Sequence, residues 1–288
     1  MAEREHTVVV SRKDDIKARV SLIQDLPTLP VIAASLREMI VDPGTSANDI
    51  ARLVSKDPAL SANFLRLVNA PFYGFPGRIA CVDHALTLAG SNVLKAAVSN
   101  IAGWDAPGEQ VVGLWEHSLG VALASRLLAQ RLNVPGTDEV MTAGLLHDIG
   151  KVVLHALYAD EAERMYSAAA QRDIWILDAE REALEVDHGE IGLWVAQSWN
   201  FPAALKDPIA YHHDPARWED LGVRPAIVHF ADILVHSLDF GHAGDGLIPQ
   251  LQHGAWDMLG LPLDDLQGVV DEVDNELSVT GTALYRSK

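Results

Sequence analysis

Gly144-Leu-Leu-His-Asp-Ile-Gly-Lys151 sets an imidazole and a carboxylate side by side in an apolar run, with a lysine one turn further on. Burying such a pair is costly unless something binds it. Adjacent imidazole and carboxylate groups can hold a divalent cation. Lys151, four residues beyond His147, falls on the same face of a helix, where it could meet an anionic oxygen.

Further groups of the same chemistry follow one another along the chain. His117 lies in Trp115-Glu-His-Ser-Leu-Gly120, His188 in Asp187-His-Gly-Glu-Ile-Gly192, His212 and His213 in Tyr211-His-His-Asp-Pro215, and Asp232 in Val228-His-Phe-Ala-Asp-Ile-Leu234. Each is flanked by apolar helix formers, so these side chains are expected to point from helices into one shared interior. His229, Asp232 and His236 fall at i, i+3 and i+7, which lets either histidine stand behind Asp232. For His236 a partly exposed polar stripe is the plainer reading, and His155 is read as lying away from the site. His6, His84, His242 and His253 read as surface residues, and Trp175, Trp194 and Trp199 as core. Trp194 and Trp199 are expected to pack the helix that carries His188. Glu180, Glu182, Glu185 and Asp187 read as a solvated helix face.

The elements that must position these groups read as helices throughout. Ile32, Leu36, Met39 and Ile40 form an amphipathic stripe that starts near Pro30 and stops at Asp42-Pro-Gly44. Ser46 with Asp49 has capping-box spacing, and Asp57-Pro58 reads as an N-cap followed by the first helical residue. Leu60, Phe64, Leu65 and Val68 continue that helix, which turn chemistry in Asn69-Ala-Pro-Phe-Tyr-Gly-Phe-Pro-Gly77 ends; another begins at Ser91. A long helix is expected to start near Trp115, with His117 in its first turn or two. The fold class is therefore all-α, in two helical lobes. A leader occupies 1–14, an N-terminal helical bundle 15–102, a joint with Gly103, Pro107, Gly108 and Gly113 103–113, and the lobe bearing the polar set 114–288.

Composition narrows the function classes. A net charge of -18, from 40 acidic and 22 basic residues without a long Lys/Arg cluster, disfavours direct nucleic-acid binding. The single cysteine, Cys81, excludes an intrachain disulfide and fits a reducing compartment. The N-terminus lacks a secretory signal pattern, and no run of about 18 apolar residues goes uninterrupted. The expectation is a cytoplasmic protein without a membrane span.

The succession Leu26-Pro-Thr-Leu-Pro30, Ile50-Ala-Arg-Leu-Val-Ser-Lys-Asp-Pro-Ala-Leu60, Leu67-Val-Asn-Ala-Pro-Phe-Tyr-Gly74 and Asp83-His-Ala-Leu-Thr-Leu-Ala-Gly90 resembles the HDOD family of bacterial signalling modules. Ala70 and Ala89 depart from the residues usual there, without bearing on the fold. His117, His147, Asp148 and Asp232 are similar in type and order to the set that holds one divalent metal in HD phosphohydrolases. The resemblance implies for His188, His212 and His213 the places of the additional ligands of the two-metal HD-GYP phosphodiesterases. Mixed imidazole and carboxylate ligands suit Fe, Mn, Zn, Ni or Co rather than Mg or Ca.

Such an ion pair could activate a bridging water on a phosphoester, with Lys151 and Asp148 as the catalytic or phosphate-contacting groups. The bland alternative is a buried hydrogen-bond network satisfied mutually and by water. Two departures speak against cyclic-dinucleotide hydrolysis. Asp214-Pro-Ala-Arg-Trp218 follows His213 in place of Gly-Tyr-Pro, and Gly113 stands where some HD-GYP proteins carry a third-metal glutamate. What the resemblance implies is a regulatory output module of two-component or cyclic-nucleotide signalling, which acts through signalling-protein partners and could take a nucleotide or phosphate ligand. Phe72 and Phe75 are candidate partner contacts. A metal-dependent phosphohydrolase or phosphodiesterase is the competing expectation.

Overall fold

The computed structural model describes residues 11–75, 77–98, 109–214, 222–244 and 246–286. The 1–14 leader and the 103–113 joint fall largely outside the described residues, as do His6, Arg217 and Trp218. Among the described residues the chain is all-α, without a β-strand.

The first helices are α1 Arg12–Ser21, α2 Pro30–Val41, α3 Ala47–Val54 and α4 Pro58–Val68, followed by α5 Val82–Ala89 and α6 Ser91–Val98. Their ends follow the expected chemistry. Ser46 and Asp49 close a reciprocal capping box on α3, and Asp57 caps α4 by accepting from the Leu60 N–H at 2.8 Å. The Asp57 carboxylate is buried and also accepts from Trp115 Nε1 at 3.0 Å and from Thr28 Oγ1, so this cap doubles as a joint between distant segments. Burial, only partly offset by these donors, raises its pKa. Phe72 is 90% exposed, whereas Phe75 packs partly buried against the core. Of these two candidate partner contacts, Phe72 presents an open ring and Phe75 a partly covered one.

The second half holds α7 Glu109–Arg131, α8 Thr137–Leu146, α9 Ile149–Leu157, α10 Ala159–Arg172, α11 Ile176–Leu184, α12 His188–Ser198 and α13 Ala203–Tyr211. After them come α14 Val223–Ser237, α15 His253–Leu259 and α16 Leu266–Arg286. Since α7 starts at Glu109 rather than near Trp115, His117 sits in its third turn. The helix α7 packs on α8 and α14, α12 on α9 and α13, and α8 on α13, which gathers the helices bearing the polar groups around one centre.

Buried side chains from Ile16 to Leu277 form one contiguous cluster spanning both halves. Among the described residues, α1 and α4 carry contacts between them. The helix α4 contacts α7, α8 and α9, and α1 lies against α12, where Lys13 pairs with Glu190 at 2.7 Å and Trp199 Nε1 donates to the Ile23 carbonyl at 3.2 Å. Trp194 and Trp199 are core residues on and beside α12, as expected. Thr137–Leu157 is long and apolar enough to cross a membrane by composition, yet 78% of that window is buried inside the fold. It is also broken at His147 and Asp148, so it serves as a core element.

Candidate metal centre

The break between α8 and α9 makes the site. His147 closes α8 and Asp148, with φ -96° and ψ 17°, leads into α9, so both side chains turn into the interior. Consequently Lys151 does not share a helix face with His147. It reaches back to Asp148, and Nζ lies 2.8 Å from Oδ2 with both groups buried. Gly150 permits the crowding around them: a Cβ there would stand 1.9 Å from the His188 carbonyl oxygen.

The predicted groups meet. His117 Nε2 lies 3.0 Å from Asp232 Oδ1, and His147 Nε2 lies 3.4 Å from Asp148 Oδ2. On the other side of Asp148, the Oδ1 atom is 3.3 Å from His188 Nε2 and 3.9 Å from His212 Nε2. His213 stands beside His212, their ring centroids 4.0 Å apart, and joins His188 and His212 in one ligand cluster; His117, His147 and Asp148 form another. Metal bonds of about 2.1 Å place neighbouring ligand atoms roughly 3.0 Å apart in an octahedral shell and roughly 3.4 Å apart in a tetrahedral one, which the shorter of these separations match.

Hydrogen bonding prepares the rings for this role. His147 Nδ1 lies 2.7 Å from the Gly144 carbonyl and His212 Nδ1 lies 3.0 Å from the Ile209 carbonyl, so each Nδ1 is the donor and each Nε2 keeps its lone pair. Nε2 of His117, His147, His188 and His212 and Oδ1 of Asp148 are all buried without a hydrogen-bond partner. His117 and Asp232 are close without the alignment of a hydrogen bond. Buried polar atoms of this kind are rare, and here they converge on one place.

Charge points the same way. Asp148, Asp232 and Glu180 are buried carboxylates, with Lys151 the buried ammonium among them. Burial opposes ionisation of Asp148, but His147, Lys151 and His188 outweigh it and hold its pKa well below the usual carboxylate range. Asp232 is held low in the same way, against burial, by His236 and His117. Burial pushes His117 and His147 down, and it takes His212 to about 3 with help from His147 and His188. Asp148 and Asp232 are thus held ionised and the imidazoles of His117, His147 and His212 neutral near pH 7, the states that bind metal.

Two residues belong to the site against expectation. Glu180 is not solvated: it is 1% exposed, and its Oε2 accepts from the His188 backbone N–H at 2.8 Å and lies 2.7 Å from His188 Nδ1. Burial lowers the pKa of His188, yet this carboxylate raises it overall. Glu180 shares an α11 face with Ile176 and Leu184, four residues to either side, and that spacing was the signal of its burial. His236 is the other. Its side chain is only 13% exposed and its Nε2 lies 3.4 Å from Asp232 Oδ1, in a third cluster with His117 and Asp232.

Other candidates lie elsewhere. His155 stacks on Tyr166 at 5.1 Å, and burial takes its pKa to about 4. His84, His242 and His253 are exposed, as expected. Asp187 caps α12 by accepting from the Glu190 N–H at 2.9 Å, and Glu182 pairs with Arg172 on the surface. Trp175 is half-buried and walls a cavity rather than the core. That cavity has about 60 Å³ of water-accessible space; its wall includes Lys151, His213, Asp232 and His236, and His229, whose Nε2 accepts from the Gln252 N–H at 3.4 Å. Gly113 lies within α7, where a side chain would collide with His242, its Cβ 2.8 Å from that of the histidine. The third-metal glutamate of HD-GYP proteins thus has no room here.

The Glu180 contact predicts a measurable effect. In Glu180→Gln the His188 ring loses its anionic partner, and metal affinity is expected to fall about 10- to 100-fold with little change in metal-free stability. Competition with a chromophoric chelator measures the affinity, and an unchanged affinity would remove Glu180 from the site.

An HDOD domain model matches residues 26–215, and the chain belongs to the HDOD domain family. An uncharacterized protein of Treponema pallidum (strain Nichols) is 27% identical over 228 residues, 75% of this chain, which spans 43% of that protein's length. Among solved structures, the MmoQ response regulator of Methylococcus capsulatus str. Bath superposes with a TM-score of 0.66 at 24% identity, covering 86% of this chain and 99% of that one. An HDOD domain protein of unknown function from Geobacter sulfurreducens does so with a TM-score of 0.55 at 24% identity, covering 92% and 97%. These two likenesses bear on the fold.

Proposed function

We propose that the chain is a cytoplasmic signal-transduction output module whose HD-like half binds one or two divalent transition-metal ions and whose N-terminal half engages a protein partner. The observation that carries the metal reading is the convergence of four unpartnered imidazole Nε2 atoms and Asp148 Oδ1 in a buried, carboxylate-rich centre. His117, His147, Asp148 and Asp232 would hold one ion, and His188, His212 and His213, with Asp148 between the sets, a second. Fe, Mn, Zn, Ni or Co suits these donors. Family membership and the fold shared with a response regulator support the signalling role. The acidic net charge of -18 favours a protein partner over nucleic acid.

A second reading, a metal-dependent phosphohydrolase or phosphodiesterase, draws on Lys151 in the cavity wall. A bound ion would supply an activated water and charge neutralisation. Lys151 already neutralises Asp148 and has N–H donors left for a phosphoryl oxygen, while Trp175, Ile176 and Leu177 give the cavity an apolar wall that excludes bulk water. The cavity has about 60 Å³ of water-accessible space, room for waters. Asp214-Pro215 in place of Gly-Tyr-Pro after His213 favours regulation over turnover of a cyclic dinucleotide. Mn(II)-loaded chain, assayed on bis-p-nitrophenyl phosphate and a cyclic dinucleotide beside His147→Ala/Asp148→Ala, is expected to show no turnover. Metal-dependent turnover that the double variant abolishes would establish the second reading.

A further inference from the structure

We propose that His236 is itself a ligand of the ion held by His117 and Asp232, and that it fills the coordination position facing the cavity, leaving that ion closed to water and substrate. The inference rests on the metal reading above.

Three observations carry it. The ligand atoms of His117, Asp232 and His236 all lie within 4.8 Å of one another, and His236 Nε2 is 3.4 Å from the same Asp232 Oδ1 that His117 Nε2 approaches to 3.0 Å. The rings of His117 and His236 meet edge to face, with centroids 4.7 Å apart. Both nitrogens thus gather about one carboxylate oxygen at spacings that ligands of a single ion adopt when bonds are about 2.1 Å.

Position gives the consequence. Among the groups around this ion, His117, His147 and Asp148 do not line the cavity, whereas Asp232 and His236 do. The cavity is thus a route by which water or a phosphoester would reach the ion, and His236 stands on it. Metal sites that catalyse keep one position open, and structural sites close theirs with protein ligands. On α14, one turn after Asp232, this imidazole turns an otherwise open site into a closed one. It gives a physical reason for an HD-like centre to bind metal and regulate.

Water-proton relaxation of the Mn(II)-loaded full chain tests this, because relaxivity per bound ion reports exchangeable water on the metal. Water on an ion in the second ligand set contributes alike to every form, so the reading is the difference from wild type. His236→Ala is expected to raise relaxivity by about one exchangeable water and to weaken Mn(II) about tenfold. His236→Gln keeps a hydrogen-bond donor for Asp232 while giving up the imidazole, and is expected to behave like the alanine variant; urea unfolding in chelator checks that both fold. Wild-type relaxivity in His236→Ala, or a glutamine variant that matches wild type, would overturn the closed site while leaving metal binding intact. Wild-type chain that binds no Mn(II) would instead overturn the metal reading, and this inference with it.

Discussion

Asp148→Ala is expected to lose the bound metal and, separately, to destabilise the metal-free fold by about 3 kcal/mol, because it leaves a buried ammonium without its partner. Lys151 Nζ lies 2.8 Å from Asp148 Oδ2, and each side chain is at most 4% exposed. The same carboxylate lies between the two sets of imidazoles, within 3.4 Å of His147 Nε2 and 3.3 Å of His188 Nε2. Its depressed pKa means that the metal-free surroundings already favour the charged form, so deletion removes stabilisation even before metal is considered. Urea unfolding in chelator reads the first effect and metal content the second. Asp148→Ala/Lys151→Met separates them: much of the stability is expected to return and none of the metal. Unchanged metal-free stability in Asp148→Ala would contradict the buried pair.

Gly150→Ala is expected to cost about 3 kcal/mol, the upper part of the usual range for overpacking, and to weaken metal binding with it. The added Cβ would meet His188 backbone atoms, the carbonyl oxygen at 1.9 Å and Cα at 2.9 Å, and backbone cannot rotate away as a side-chain end can. Relief requires α12 to move off α9, which drags His188 from Glu180 and from Asp148. Gly254→Ala is the control. At the start of α15 its Cβ would meet nothing within 4 Å, so stability should stay level or rise slightly. Equal effects of the two substitutions on urea midpoints would contradict the close approach.

Much of this centre was legible in the sequence because its ligands fall in apolar helical runs, where a polar side chain has few reasons to be except a buried function. His117, His147, Asp148, His188, His212, His213 and Asp232 are brought together as their order implied. The helix starts were readable too, since Ser46, Asp49 and Asp57 satisfy orphan N–H groups through local contacts. What escaped depends on tertiary packing. Glu180 sits among other acidic residues, so composition pointed to solvent while its four-residue spacing from Ile176 and Leu184 pointed inward. His236 looked like the polar edge of α14 until the segment lining the cavity was placed beside it. Lys151 shared a face with His147 only for an unbroken helix, and the turn at Asp148 breaks it. The joining of the two halves through α1 and α4 rests on contacts between distant segments, such as Trp199 with Ile23, which no periodicity encodes.

Metal content tests the proposed centre most directly. The 288-residue chain, purified without added metal and again after incubation with Mn(II) or Fe(II) and desalting, is analysed by elemental mass spectrometry beside His147→Ala/Asp148→Ala. Wild type is expected to hold about one to two transition-metal ions per chain and the double variant less than about a tenth of that, the loss expected when buried ligands of an ion are removed. Wild-type chain that holds no stoichiometric metal after reconstitution, or a double variant that retains it, would rule out the metal centre.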